Sequence, residues 1–184
     1  MRTRLALLAA VAVVGVGSIS AEAQESLLSP GDFIIAIDTD APGAVSSHPA
    51  GEAPGFALDQ LATTKYLNFG EEGSGLIFTP GSSIVRSLNF TTANDAPARD
   101  PSSFQLFGTN SAIMSANNST GMGETWTEIT TGPISMALPD TRGSSLEEVI
   151  NIANSAAYSS YKLVFPTVKD ATAANSMQIA DIQF

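Results

Sequence analysis

Turn-forming residues chop this chain into short apolar runs, and that limits its folds more than any other feature. From Asp32 onward Gly, Pro, Asn, Asp and Ser recur at intervals of about ten residues, the spacing of strands in an all-β sandwich or barrel. The runs are DFIIAID, GLIFTP, IVRSLNFTT, SFQLFGTN, TWTEITTG, ISMALP, VINIAN, YKLVFPTV and MQIADIQF, which give eight or nine candidate strands. FIIAI and KLVF are apolar on both faces and read as central strands. In IVRSLNFTT, Ile84, Leu88 and Phe90 share one face while Ser87, Asn89 and Thr91 share the other, so one side of that strand is expected to be wet. Helical periodicity is weak. A turn or two is expected over Phe56 to Ala62 and again over Ser145 to Val149, where SSLEEV can cap its own start. SAIMSANNSTGMGE reads as a flexible excursion.

The first 23 residues have the layout of a secretory signal: Arg2 and Arg4, an apolar stretch from Leu5 to Val16, and Ala21-Glu22-Ala23 as a small-x-small cleavage site. Two glycines and a stretch short of ~20 apolar residues argue against a retained membrane anchor. Residues 24–184 are then expected to form one exported domain, secreted, periplasmic or on the cell surface. The whole chain has a formal net charge of −10, and losing two arginines and one glutamate with the leader makes it one unit more negative. An acidic surface repels phosphate backbones and anionic lipids, so neither nucleic acid nor membrane is expected as a partner. With no cysteine, stability must come from a core or from a bound ion.

The inventory is poor for catalysis. There is one histidine, no cysteine and no G-x-S-x-G elbow. His48, in the polar loop SSHPAGE, is of interest as a hydrogen-bond donor to a sugar hydroxyl rather than as a base. The adjacent acids Glu71-Glu72 and Glu147-Glu148 lack the apolar setting that raises the pKa of a glycosidase acid. No enzymatic activity is expected.

Two distant stretches carry a more specific pattern: GFALDQLATTKYLNFG, residues 55–70, and IADIQF at the C-terminus. Together with SGLIFTP, LNFTTANDAPARDPSSFQLFGTN, WTEI and SYKLVFPTV they resemble the discoidin or coagulation-factor C-terminal type of domain, the galactose-binding-like jelly roll, in a secreted bacterial subgroup. The resemblance runs from about Ser29 to Phe184 and implies an antiparallel jelly-roll β-sandwich that binds carbohydrate or another extracellular polymer. It also implies a structural calcium ion. Asp59 and Asp181 would supply side chains, Phe56, Leu61 and Ala180 main-chain carbonyls, and Thr64 both its carbonyl and its hydroxyl, a hard-oxygen set of the kind calcium takes. Two departures stand out. Gln60 occupies the usual glycine position, and Asp181 replaces a longer glutamate.

The loop NDAPARDP, residues 94–101, concentrates charge and rigidity between two strands. Arg99 is expected to pair with Asp95 or Asp100 while Pro97 and Pro101 fix two backbone angles. The alternative is a clamp, since a guanidinium fork suits vicinal hydroxyls or a carboxylate. Asn94 in this loop and Asn175 near the last strand are further candidate ligand contacts. Trp126, Tyr66, Tyr158 and Tyr161 sit in strand-like runs, so no cluster of exposed rings is expected. The rival reading is a structural or adhesive surface protein that binds protein partners or itself; a glycoside hydrolase or lyase ranks below both. The sequence sets no oligomeric state.

Overall fold

The protein is described by a computed structural model that covers residues 26–37, 48–116, 118–134 and 140–184. The leader, and all of the ISMALP run except Ile134, lie outside the described residues. Nearly every other apolar run becomes a strand: β1 (Phe33–Ile37), β2 (Tyr66–Asn68), β3 (Ser74–Thr79), β4 (Ser87–Thr91), β5 (Ser103–Thr109), β6 (Asn118–Ser119), β7 (Thr127–Pro133), β8 (Ile150–Asn151), β9 (Ser160–Phe165), β10 (Met177–Ile179) and β11 (Asp181–Gln183). MQIADIQF supplies two of these, and β2 and β6 are additions that no long apolar run announces. No helix among the described residues is long and apolar enough to cross a membrane.

Six strands form one sheet in the order β6-β1-β3-β9-β5-β7, antiparallel except for β1 with β6. In the second layer β10 pairs with β2, β11 with β4, and β4 with β8. The Ala180 N–H donates to the Thr91 carbonyl at 2.9 Å, so the C-terminal segment bridges both pairs and turns them into one layer. Period-two alternation then fills the interior. Leu76, Phe78, Leu106, Tyr161, Leu163 and Phe165 from the large sheet meet Tyr66, Leu88, Phe90, Met177, Ile179 and Ile182 from the other in one core. Phe90 packs 6.3 Å from Phe104 and 6.0 Å from Phe165, and Phe78 lies 4.4 Å from Phe184. Each such ring contributes roughly 1.5–3 kcal/mol through burial.

The outer face of the large sheet is also covered, which is why FIIAI is apolar on both sides. Ile35, Ile37 and Ile77 are buried there against Ile113, Trp126 and Val164. The segment expected to be a flexible excursion instead folds back over the sheet and adds β6 beside β1. Lys162 lies under it, 4.5 Å from the Phe107 ring and 5.0 Å from that of Trp126, donating to the Gly121 carbonyl at 2.9 Å.

Three local expectations are corrected. No helix forms over Ser145 to Val149, because Ser145 bridges to Thr91 and the Leu146 N–H donates to the Phe90 carbonyl, both of which hold the chain extended. The turn expected over Phe56 to Ala62 is a 3-10 turn at Pro54–Leu58. Val85, not Ile84, is buried before β4, since the strand's alternation begins only at Ser87.

At one end of the sandwich three loops are tied together. Gly73 N–H donates to Phe165 O at 2.8 Å, Lys169 N–H to Asp100 O at 2.9 Å, and Asp170 N–H to Ala98 O at 3.1 Å. This end, the apex, gathers the turn after β2, the NDAPARDP loop and the connection from β9 to β10. The opposite end holds the described N-terminal residues against the C-terminus, through Leu27 N–H to Phe184 O at 3.0 Å.

Candidate functional site

NDAPARDP connects β4 to β5 across the apex. Ala96 turns the chain with a left-handed φ of 36°, and Pro97–Arg99 close one 3-10 turn through Arg99 N–H to Ala96 O at 3.0 Å. Its charges are not paired as the sequence suggested. Asp100 is fully buried at 0 % exposure and receives both ends of the Arg142 fork at 2.9 and 2.7 Å, with Lys169 Nζ at 3.3 Å. Asp95 takes Lys65 Nζ at 2.7 Å. Lys65, itself buried, also donates to Gln178 Oε1 at 3.2 Å and faces Glu52 at 3.6 Å. Gln178 Nε2 in turn donates to the Asp95 and Ala96 carbonyls. Burial pushes the Asp95 carboxyl up, but the bond and charge of Lys65 outweigh it and hold the group below its ordinary range.

Arg99 therefore pairs with neither aspartate. Among the described residues its half-exposed guanidinium has no hydrogen bond or ion pair, because stronger partners from other strands already occupy both carboxylates. The expected self-paired staple is overturned: the loop is stapled, but by Lys65, Arg142 and Lys169. These partners lie far away in sequence, 30 positions for Lys65 to Asp95 and 42 for Asp100 to Arg142, so no local pattern announces them.

Asn94 and Asn175 are both exposed, and Asn175 Oδ1 accepts from the adjacent Ser176 hydroxyl at 3.3 Å. His48 is half-buried, edge-on to Tyr66 with 6.3 Å between ring centroids, and its Nδ1 lies 3.2 Å from Pro49 O. The apex thus brings the loops of Asn94, Arg99 and Asn175 side by side, while His48 sits against β2. Sequence reasoning missed Phe69. It follows Asn68, which pairs with Met177, so the Phe69 turn neighbours the Asn175 segment, and the ring is 58 % exposed. Tyr66 and Tyr161 are buried as their strand runs suggested, and Trp126 is half-buried.

A second cluster forms where the Pro54–Leu58 turn and the loop behind it pack on β11. Asp59 caps its own loop, accepting from Leu61 N–H at 2.9 Å and from the Thr64 hydroxyl at 2.6 Å. Asp181 Oδ1 reaches across from the last strand to accept from Gln60 N–H at 3.1 Å. That bond requires a left-handed Gln60, φ 61°, the conformation for which glycine is the usual residue. Asp181 is 4 % exposed. Burial pushes its carboxyl up to about 6, the Gln60 N–H partly offsets this, and the charge of Asp59 adds to it. No ion pair reaches either aspartate among the described residues. Asp59, Leu61, Thr64 and Asp181 are thus brought together with Ala180 next in the chain, and Phe56 lies in the adjoining turn. No group of three or more His, Cys, Asp or Glu side chains gathers among the described residues, so a cation here would rest on two carboxylates and main-chain oxygens.

No protein-family model matches the sequence, and no curated protein matches it either. Solved structures do. CpGH89CBM32-5 from Clostridium perfringens, in complex with GalNAc-β-1,3-galactose, is 15% identical, with a TM-score of 0.58 over 86% of this chain and 98% of that one. The family 32 carbohydrate-binding module of C. perfringens NanJ, in complex with galactose, is 10% identical, with a TM-score of 0.55 over 82% of this chain and 90% of its own. Chitosan-binding module 1 of a chitosanase/glucanase from Paenibacillus sp. IK-5 is 15% identical, with a TM-score of 0.57 over 87% and 98%. Two opposed β-layers, bridged by the last strand and closed at one end by the three apical loops, thus share the galactose-binding-like, discoidin-type sandwich fold of these carbohydrate-binding modules.

Proposed function

We propose that this protein is an exported, non-catalytic carbohydrate-binding module that holds glycans at the apex. One observation carries the reading: among the described residues Arg99 makes no hydrogen bond or ion pair and is attracted to Asp95 only through space, on a loop whose other charges are all engaged. A guanidinium presented on a rigid turn can donate two parallel hydrogen bonds to neighbouring sugar oxygens at little entropic cost. Asn94 and Asn175 add amide donors and acceptors, and the exposed Phe69 ring offers an apolar face for a pyranose. The structural relatives named above were solved with galactose or GalNAc-β-1,3-galactose, or are named for chitosan. Against catalysis, Glu72, Glu147 and Glu148 are exposed rather than set in the apolar surroundings of a glycosidase acid. The leader pattern supports export.

The reading includes a structural calcium ion held by the Asp59 and Asp181 carboxylates, the carbonyls of Phe56, Leu61 and Ala180, and the carbonyl and hydroxyl of Thr64. Its support is electrostatic: two carboxylates, one of them buried, face each other with no protein cation between them. A divalent ion would neutralise that pair and join an early loop to the last strand, a cross-link that a chain without cysteine cannot make covalently.

A glycan array probed with the full chain, with calcium and again with chelator, tests the reading. Retention on at least one glycan is expected, reduced about tenfold or more by Arg99→Ala while the melting temperature holds. A flat array with concentration-dependent oligomers would favour the adhesive alternative instead.

A further inference from the structure

The end of the sandwich opposite the apex holds a concave site. A cleft of about 370 Å³ opens on the outer face of the large sheet, lined by Phe33, Thr79, Ser160, Ser159, Asn110 and Ser111, with Ala112 and Ile113 closing one side. Its floor comes from β1, β3 and β9. Register places Phe33 opposite Thr79, and alternation turns both outward with Ile35 and Ile77. Its wall is the start of the segment that folds back over the sheet, anchored where Ile113 packs on the outer cluster.

The chemistry of this lining is specific. Among the described residues no charged side chain contributes to it, in a chain with 18 acidic and 8 basic residues. An ionic ligand would find no counter-charge there. The ring of Phe33 is 41 % exposed and forms an apolar wall. Around it stand four hydroxyls and one amide. Thr79 Oγ1 and Ser160 Oγ share one hydrogen bond of 3.0 Å, which uses one of their two O–H protons and leaves the other to donate. Asn110 Oδ1 is held by Ser159 N–H at 2.9 Å, so its amide group is fixed, while Nδ2 has only a long 3.5 Å contact with Ala157 O. The Ser111 hydroxyl has no partner among the described residues, only its N–H being engaged, by Thr109 Oγ1 at 3.0 Å.

We infer that this cleft is a second carbohydrate site, selective for a neutral pyranose, which stacks on Phe33 and exchanges hydrogen bonds with Ser111, Asn110 and the Thr79–Ser160 pair. A ring wall with pre-oriented hydroxyl and amide groups, and no charge, matches a molecule with one apolar face and a rim of hydroxyls. The volume admits one hexose. The site is independent of Arg99 and adds a second point of attachment at the other end of the sandwich, so that one chain can bridge two glycan ends or gain avidity on a dense surface.

The test is an amide chemical-shift titration of the full chain with a panel of methyl glycosides: galactoside, glucoside, N-acetylgalactosaminide and galacturonide. Asn94 and Asn175 report the apex, and Asn110, Ser111 and Ser159 report the cleft, so either site can fail without the other. Saturable shifts at Ser111 and Ser159 are expected with at least one neutral glycoside. They should persist in Arg99→Ala, be absent with galacturonide, and weaken about tenfold in Phe33→Ala or the milder Phe33→Leu. Shifts at the cleft residues that vanish with Arg99→Ala, or that survive both Phe33 variants, would overturn the assignment, as would none at all with any neutral glycoside.

Discussion

Asp100 and Asp181 are both carboxylates withdrawn from water, 0 % and 4 % exposed, and the fold treats them in opposite ways. Asp100 sits between Arg142, which meets it with two parallel bonds, and Lys169. Asp181 has the Gln60 and Ile182 N–H groups and the Gln183 side chain for hydrogen-bond partners, and a second carboxylate, Asp59, for a neighbour. Desolvating a charge costs several kcal/mol unless it is compensated. At Asp100 the protein compensates with its own cations, and the product is a fixed loop. At Asp181 it supplies hydrogen bonds but no cation, and the carboxyl is pushed up to about 6. The difference separates a staple from a candidate ion cage, although both read in sequence as an aspartate near a strand end.

The largest expected effect comes from making the first site resemble the second. Arg142→Met keeps much of the side-chain volume but leaves Asp100 buried with Lys169 alone. Removing one partner of a buried pair costs about 3–5 kcal/mol, which should appear as a lower midpoint of urea unfolding at an unchanged slope. A loss within 1 kcal/mol would show that water or Lys169 replaces the fork, and the staple reading would fall.

Next in size is the response of the second site to calcium. A ligand at 100 times its dissociation constant stabilises by about 2.7 kcal/mol, or roughly 2–4 °C of melting temperature per kcal/mol for a chain of this length. Thermal melts with calcium and with chelator should differ by that order in the native chain and coincide in Asp181→Asn. Lys169→Met, which acts at the other carboxylate, should lower both melts and keep the gap. Coincident melts of the native chain would remove the ion from the account.

How much of this was legible beforehand depends on the range of the interaction. Strand positions follow from local apolar runs and the turn residues that bound them, so FIIAI, SFQLFGT and YKLVF emerge almost residue for residue. The layered topology was legible through the resemblance carried by IADIQF and GFALDQLATTKYLNFG. The loop NDAPARDP was correctly placed as a connector and wrongly paired, because charge partners in a sandwich are chosen by strand adjacency. Lys65 reaches Asp95 only because β2 pairs with β10, whose Gln178 lies under the loop. Phe69 was invisible for a similar reason. YLNF alternates like any strand, and only the turn that follows Asn68 leaves the last ring outside. The helix expected over Ser145 to Val149 failed because bridging to Thr91 and bonding to Phe90, both distant in sequence, outweighed a local capping pattern.

The smallest expected effect concerns the third carboxylate of the comparison. Asp95 also pairs with a lysine, but its side chain is 54 % exposed, so water screens the interaction that seals off Asp100. Its folded pKa lies below the reference of 3.8, so between the two values the unfolded chain binds more protons than the folded one. Stability from this pair is therefore fully present above the reference value and is lost as pH falls through the folded one. Because the group is half exposed, the amount is a few tenths to about 1 kcal/mol. Unfolding midpoints of the native chain and Asp95→Asn should thus differ near neutral pH and converge in acid, and high salt should narrow the neutral gap. A gap that persists unchanged into acid would mean that Asp95 acts through its backbone, whose carbonyl receives Gln178 and Arg142. The loop's shape would then be set by those main-chain bonds, with Lys65 a bystander and only Asp100 holding it by charge.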